Sequence, residues 1–133
     1  MKTVEAARRW RDTWLRAWPA QDVDALRSLY GEHAVFRSHP FREPRLGPDG
    51  AAGYASWAFA SEEAPAECRF AEPIVDGDRA TCEYWAVVRS GGSEQTIAGV
   101  SVIHVDDEGL VAFQRDYWAV EVGRRDPSDD WGR

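Results

Sequence analysis

Lysine is nearly absent from this chain: Lys2 is the only one among 16 basic residues, and all the others are arginine. Cysteine is scarce too, with Cys68 and Cys82 alone. Two lone cysteines make neither a disulfide framework nor a zinc site, so reduced, structural thiols and a cytoplasmic setting are expected. The three histidines, His33, His39 and His104, never fall at metal-binding spacing, and no metal is expected. No apolar run approaches the ~18–20 residues of a membrane span. The first residues, MKTVEAARRWRD, carry charge where a signal peptide has its apolar segment. Glycine-rich phosphate loops and the Gly-x-Ser-x-Gly nucleophile turn are missing, which argues against nucleotide-binding folds and that type of serine hydrolase.

An excess of positive charge is also missing. The net charge is −7 at pH 7. A negative body repels phosphate backbones and anionic lipid, so neither nucleic acid nor membrane is an expected partner. With 133 residues the chain is one domain's worth. Aromatic residues, by contrast, are plentiful, with seven Trp, four Tyr and five Phe. Such side chains either fill a core or line a cavity for a flat ligand.

Residues 3–18 contain no Gly or Pro, and Val4, Ala7, Trp14 and Trp18 recur near helical spacing, which predicts a helix capped by Thr3 and stopped by Pro19. A second, short helix is predicted over 22–30, with Asp22 as its cap and Gly31 as its stop. A strand over 33–37 precedes a long Pro- and Arg-bearing loop, SHPFREPRLGPDG, and a third helix is expected over about 50–62. The rest reads as sheet. It has a strand over 67–75 interrupted at Pro73, and long strands over 79–90, 94–105 and 110–121 joined by the turns GGS and DDEG. The expected layout is a domain over 1–122 and a polar tail over 123–133, frayed except where Trp131 docks. Helices first and an antiparallel meander afterwards give an α+β class.

Several stretches carry a resemblance: Ala17-Trp18, Asp22-Val-Asp-Ala-Leu and Leu29-Tyr30; Phe36 with Pro40-Phe-Arg-Glu-Pro and Gly47; Gly77 to Trp85; Gly99; Asp107 to Val111; and Arg115-Asp-Tyr-Trp118. In order and spacing they resemble the SnoaL-like, nuclear transport factor 2-like superfamily over about residues 5–120. The resemblance implies a cone: a curved mixed sheet wrapped around three N-terminal helices, with an apolar pocket inside. It also implies a homodimer formed through the sheet, for which outward Phe113 and Tyr117 are suitable. The superfamily holds isomerases, cyclases, hydrolases, dehydratases and binding modules, so the fold leaves the function open.

The catalytic positions differ from those of the best-known members. Where a ketosteroid isomerase needs a tyrosine and two carboxyl groups, the matching positions here are Trp14, Ser38 and Ser101. Similarity to limonene epoxide hydrolases and SnoaL-like cyclases places an acid or base at Asp116. The Arg-x-Asp pair of such hydrolases falls on Thr81-Cys82-Glu83, where Thr81 brings no guanidinium. Strand alternation puts Gln114, Asp116 and Trp118 on one face. The candidate catalytic residues are therefore Asp116, with His39 as proton partner and Glu83 as a second carboxylate raising its pKa. The candidate pocket residues are Trp14, Trp18, Arg37, Tyr54, Trp57, Trp85, Gln114 and Trp118. Arg42 is a further candidate for holding an acidic or carbonyl group. Each has a plainer role beside it: an ion pair for Asp116, a surface charge for Glu83, a loop hydrogen bond for His39, and core packing for the tryptophans. The expected ligand is a small apolar molecule, with no cofactor. The two functional readings are a cofactor-free acid/base enzyme of cyclase, isomerase or dehydratase type, and a non-catalytic binding module.

Overall fold

A computed structural model describes all residues, 1–133. Helix α1 (Thr3–Ala20) places Ala6, Ala7, Trp10, Trp14 and Ala17 in the core. It runs one residue past Pro19, which forfeits only its own bond to the Leu15 carbonyl. Gln21, at φ 54°, closes it by donating to the carbonyls of Ala17 and Trp18. Thr3 is the first helical residue rather than its cap; Lys2 holds that position without a side-chain hydrogen bond. Helix α2 (Val23–Arg27) is capped by Asp22, whose carboxylate accepts from the Ala25 amide. It is shorter than its periodicity suggests, because Tyr30 already belongs to strand β1 (Tyr30–Arg37).

The Pro- and Arg-bearing loop contains a two-residue strand, β2 (Arg45–Leu46), and leads directly into α3 (Gly47–Phe59). Pro48 sits in the first turn of α3, where its missing N–H costs nothing. The helix therefore starts and ends about three residues earlier than predicted. The remaining strands are β3 (Glu67–Phe70), β4 (Ile74–Asp76), β5 (Arg79–Ser90), β6 (Ser93–Val105) and β7 (Val111–Val122). Pro73 separates β3 from β4, as its missing donor requires. Gly91 and Gly92, both at positive φ, form the two-residue turn between β5 and β6.

The sheet is curved and mixed, in the order β2-β1-β7-β6-β5-β3, with β4 also on β5. Only the β1–β7 pairing is parallel. The three helices and the concave face enclose the core, which holds Trp10, Leu26, Leu29, Phe36, Ile103 and Val111. Cys68 and Cys82 are free thiols, both pushed up to about 12 by burial. No helix is long and apolar enough to cross a membrane.

The tail lies against the sheet, and Trp131 docks. Arg124 pairs with Glu67 and Glu94, and the Arg125 amide donates to Thr96 Oγ1 at 2.9 Å. Trp131 packs edge-on against Trp85, 6.4 Å between ring centroids, with the Arg69 guanidinium over its own ring.

Candidate functional site

A cavity of about 400 Å³ opens between the helices and the concave face of the sheet. Its volume is at the small end of the range for small-molecule sites. Fourteen of its 22 lining residues are hydrophobic, which makes it an apolar site with a few polar groups. Trp10, Trp14 and Trp18 reach it from α1, at roughly one-turn spacing along one face. Tyr54 and Trp57 come from α3, and Gln114, Asp116 and Trp118 from alternate positions of β7. Trp14, Trp18 and Tyr54 are thus at the cavity, as is Trp57, which remains 59% exposed.

Asp116 is 9% exposed. Its Oδ1 accepts from Ser101 Oγ at 2.7 Å and from Gln114 Nε2 at 2.9 Å. Neither bond uses Oδ2, and Asp116 lines the cavity. Burial raises the Asp116 pKa from its ordinary 3.8 to about 6, while the Ser101 and Gln114 donors, which favour the charged form, oppose the rise. No arginine pairs with it.

Behind Asp116 lies a wall of donors. Gln114 is 1% exposed, and its Oε1 accepts from Tyr30 Oη at 2.6 Å and from Trp10 Nε1 at 3.0 Å. Trp14 Nε1 donates to Tyr30 Oη at 3.3 Å. With two donors on its carbonyl oxygen, the Gln114 amide can only present its NH2 to Asp116. The aromatic residues of α1 and β1 thereby set the polarity of the group that touches the carboxylate.

Two more phenols lie near. Burial and Asp116 push the Tyr54 pKa up, and the Arg42 guanidinium and Ser38 act against this. The Tyr84 phenol is likewise pushed up, by burial and then by Asp116. The Tyr84 hydroxyl sits where a Cβ on Gly99 would be, 2.7 Å from that point, so glycine at 99 makes room for it. At the rim, Glu62 accepts from Trp18 Nε1 at 3.0 Å, and burial raises its pKa. Arg42 is also at the rim, with its guanidinium 5.5 Å from the Trp57 ring and 5.2 Å from the Trp118 ring.

Four of the expected residues lie elsewhere. Glu83 is exposed on the outer face of β5, whose inward set is Ala80, Cys82, Tyr84, Ala86 and Val88. The residue facing Asp116 across β6–β7 is Ser101, and no second carboxylate stands there. Trp85 shares the outer face with Glu83 and donates to the Arg125 carbonyl at 2.8 Å. Both faces of β5 carry aromatic residues, so alternation alone does not say which one is inward. Arg37 is opposite Arg115 in the β1–β7 register and off the cavity, because Ala34, Phe36 and Ser38 are the inward set. His39 belongs to its loop: Nδ1 accepts from the Phe41 amide at 3.3 Å, and the ring packs edge-on against Trp118, 5.1 Å between centroids. It does not line the cavity.

Trp10, Glu62 and Tyr84 are cavity residues outside the expected set. Tyr84 follows from the same alternation once the inward face is known. Glu62 carries no sequence signal, because in SEEAP it reads as a solvated charge.

The SnoaL-like domain family matches residues 12–113. No curated relative matches the sequence. Among solved structures, the chain is similar to SalBIII, described as an epoxide hydrolase/cyclase-like enzyme with a role in pyran ring formation in the polyether salinomycin. The identity is 17%, the TM-score 0.73, and 90% of this chain and 95% of that one are covered. It is also similar to an LEH-like epoxide hydrolase from Mycobacterium tuberculosis, at 19% identity, TM-score 0.68 and coverage of 88% and 82%. A third is a hypothetical protein of ketosteroid isomerase-like fold from Catenulispora acidiphila, in complex with trimethylamine, at 16% identity, TM-score 0.71 and coverage of 81% and 83%. At these identities the likeness is one of fold.

Proposed function

Because the chain belongs to the SnoaL-like domain family, we propose that its cavity binds a small, largely apolar carbonyl-containing or cyclic molecule and that Asp116 moves a proton on it. The reaction type is that of a cyclase, isomerase or dehydratase working without a cofactor. The observation that carries this reading is a single buried carboxylate at an aromatic cavity, with Oδ1 held by Ser101 and Gln114 and Oδ2 used by neither bond. With a pKa near 6, Asp116 is mostly ionised at neutral pH yet more basic than an ordinary carboxylate, which suits a general base. The neutral phenols of Tyr54 and Tyr84 are the donors that would stabilise negative charge developing on a substrate oxygen. His39 and Glu83 have no part in this scheme. Within the same reading the protein acts as a homodimer through the outer sheet face, where Tyr117 is 43% exposed.

The test is exchange of α-protons. A panel of cyclic ketones and enones is incubated in D2O with wild type and with Asp116→Asn, and deuterium uptake is followed by NMR. Exchange that is ~100-fold or more slower in the variant supports the base. Ligands that bind wild type with no exchange or turnover would instead make the protein a binding module.

A further inference from the structure

Among the residues lining the cavity, Arg42 is the only cation. Its guanidinium forms no ion pair; it donates a long hydrogen bond, Nη1 to Ser38 Oγ at 3.4 Å, and lies beside the Tyr54 phenol. Its guanidinium is nevertheless held in place, with the Trp57 and Trp118 rings both within 5.5 Å. Trp118 is itself fixed, because its Nε1 donates to the Ser38 carbonyl at 2.6 Å. Cation–π contacts engage the flat faces of a guanidinium and leave its edge, where the N–H donors lie, for a partner. An arginine that only solubilises a surface has no need of two indole contacts at the mouth of an apolar cavity.

From this we infer that the ligand of the cavity is an aromatic or alicyclic carboxylate, whose two oxygens dock on the edge of Arg42 while its ring lies among the tryptophans. The inference rests on the reading of the cavity as a small-molecule site and adds the chemical class of the ligand. Electrostatics outside Arg42 argue the other way, since the chain carries −7 overall and the cavity also holds Asp116 and Glu62. A preference for an anion would therefore have to come from Arg42, which makes the test sharp.

The probes are 2-naphthoate and its neutral isostere 2-naphthamide, titrated against tryptophan fluorescence at one pH and ionic strength. The expected result is that wild type binds the carboxylate at least about tenfold more tightly, the scale of a bidentate charge-assisted contact. Arg42→Gln should erase the difference by weakening the carboxylate far more than the amide, and Arg42→Lys should restore only part of it. Equal binding of both probes, tighter binding of the amide, or a carboxylate preference that survives in Arg42→Gln would overturn the assignment to Arg42 while leaving the cavity as a binding site. Binding of neither probe would overturn the inference as well as the small-molecule reading beneath it.

Discussion

The two faces of the long strands β5 to β7 have similar compositions and different chemistry. Each carries a tryptophan whose indole N–H is spent on a distant backbone carbonyl: Trp118 on Ser38 inside, and Trp85 on Arg125 outside. Each carries an acid: Asp116 inside and Glu83 outside. On the concave side the helices exclude water, so the carboxyl is pushed up and a tryptophan becomes the wall of a cavity. On the convex side Glu83 is left to water, and Trp85 is covered by the tail, which it anchors through the Arg125 carbonyl and Trp131. What separates a candidate catalytic acid from a surface charge is thus the layer packed over it, not its strand or its neighbours in sequence.

The sharpest way to break this comparison is to truncate a tryptophan on each side. Trp10, 2% exposed and bonded to Gln114, should cost about 3–5 kcal/mol as Trp10→Ala, against no more than about 1–2 for Trp85→Ala, by urea unfolding. Trp85 is only half-buried, and its loss leaves no sealed void.

The two acids come next. Burial raises the Asp116 pKa above its unfolded value, so its contribution to stability is fully present below about pH 4 and is lost as pH rises through about 6. Asp116→Asn keeps an acceptor for Ser101 and Gln114. It should stabilise the protein by on the order of 2–3 kcal/mol at pH 7.5 and by nearly nothing at pH 4. Glu83→Gln should stay within about 0.5 kcal/mol at both pH values. Equal behaviour of the two variants would place both acids in water.

An effect in a similar range is expected at Gly99. A methyl there meets the Tyr84 hydroxyl, the Tyr117 carbonyl and the Trp118 Cβ at under 3 Å, so Gly99→Ala should cost about 1–3 kcal/mol and distort the cavity wall. Binding of a fluorescent naphthalene probe would report the second effect. The smallest change belongs to the tail: Trp131→Ala should cost below about 1 kcal/mol and leave the Asp116 pKa, read by carboxyl NMR, where it was. Ser101→Ala, by removing a donor to the charged form, should move that pKa upward.

Most of the architecture was legible in the chain. The strand boundaries of β5 to β7 agree with the alternation to within a residue, because Gly-rich turns bracket them. The helix ends were less so: Pro19 and Pro48 are tolerated in last and first turns, and a stop signal does not record which turn it is in. Of the candidate site, Asp116, Gln114, Trp118, Trp14, Trp18, Tyr54 and Trp57 were readable because β7, α1 and α3 each turn one face toward the cavity. Glu83, Trp85, Arg37 and His39 were misplaced because adjacency in sequence says nothing about which side of a pleated strand meets the helices.

Fold class, the poverty in metal-binding and nucleotide-binding motifs, and the wealth of aromatic side chains with an acid among them on β7 can all be read along the chain. Those depend on periodicity and on residue type, which are local. The burial of Asp116, the turn of the Gln114 amide nitrogen toward it, and the place of Arg42 beside two indoles at the cavity appear only once the chain is folded. Burial and hydrogen-bond direction arise when α1, β1, α3 and the loop before α3 converge on one face of the sheet, from positions as much as 104 residues apart.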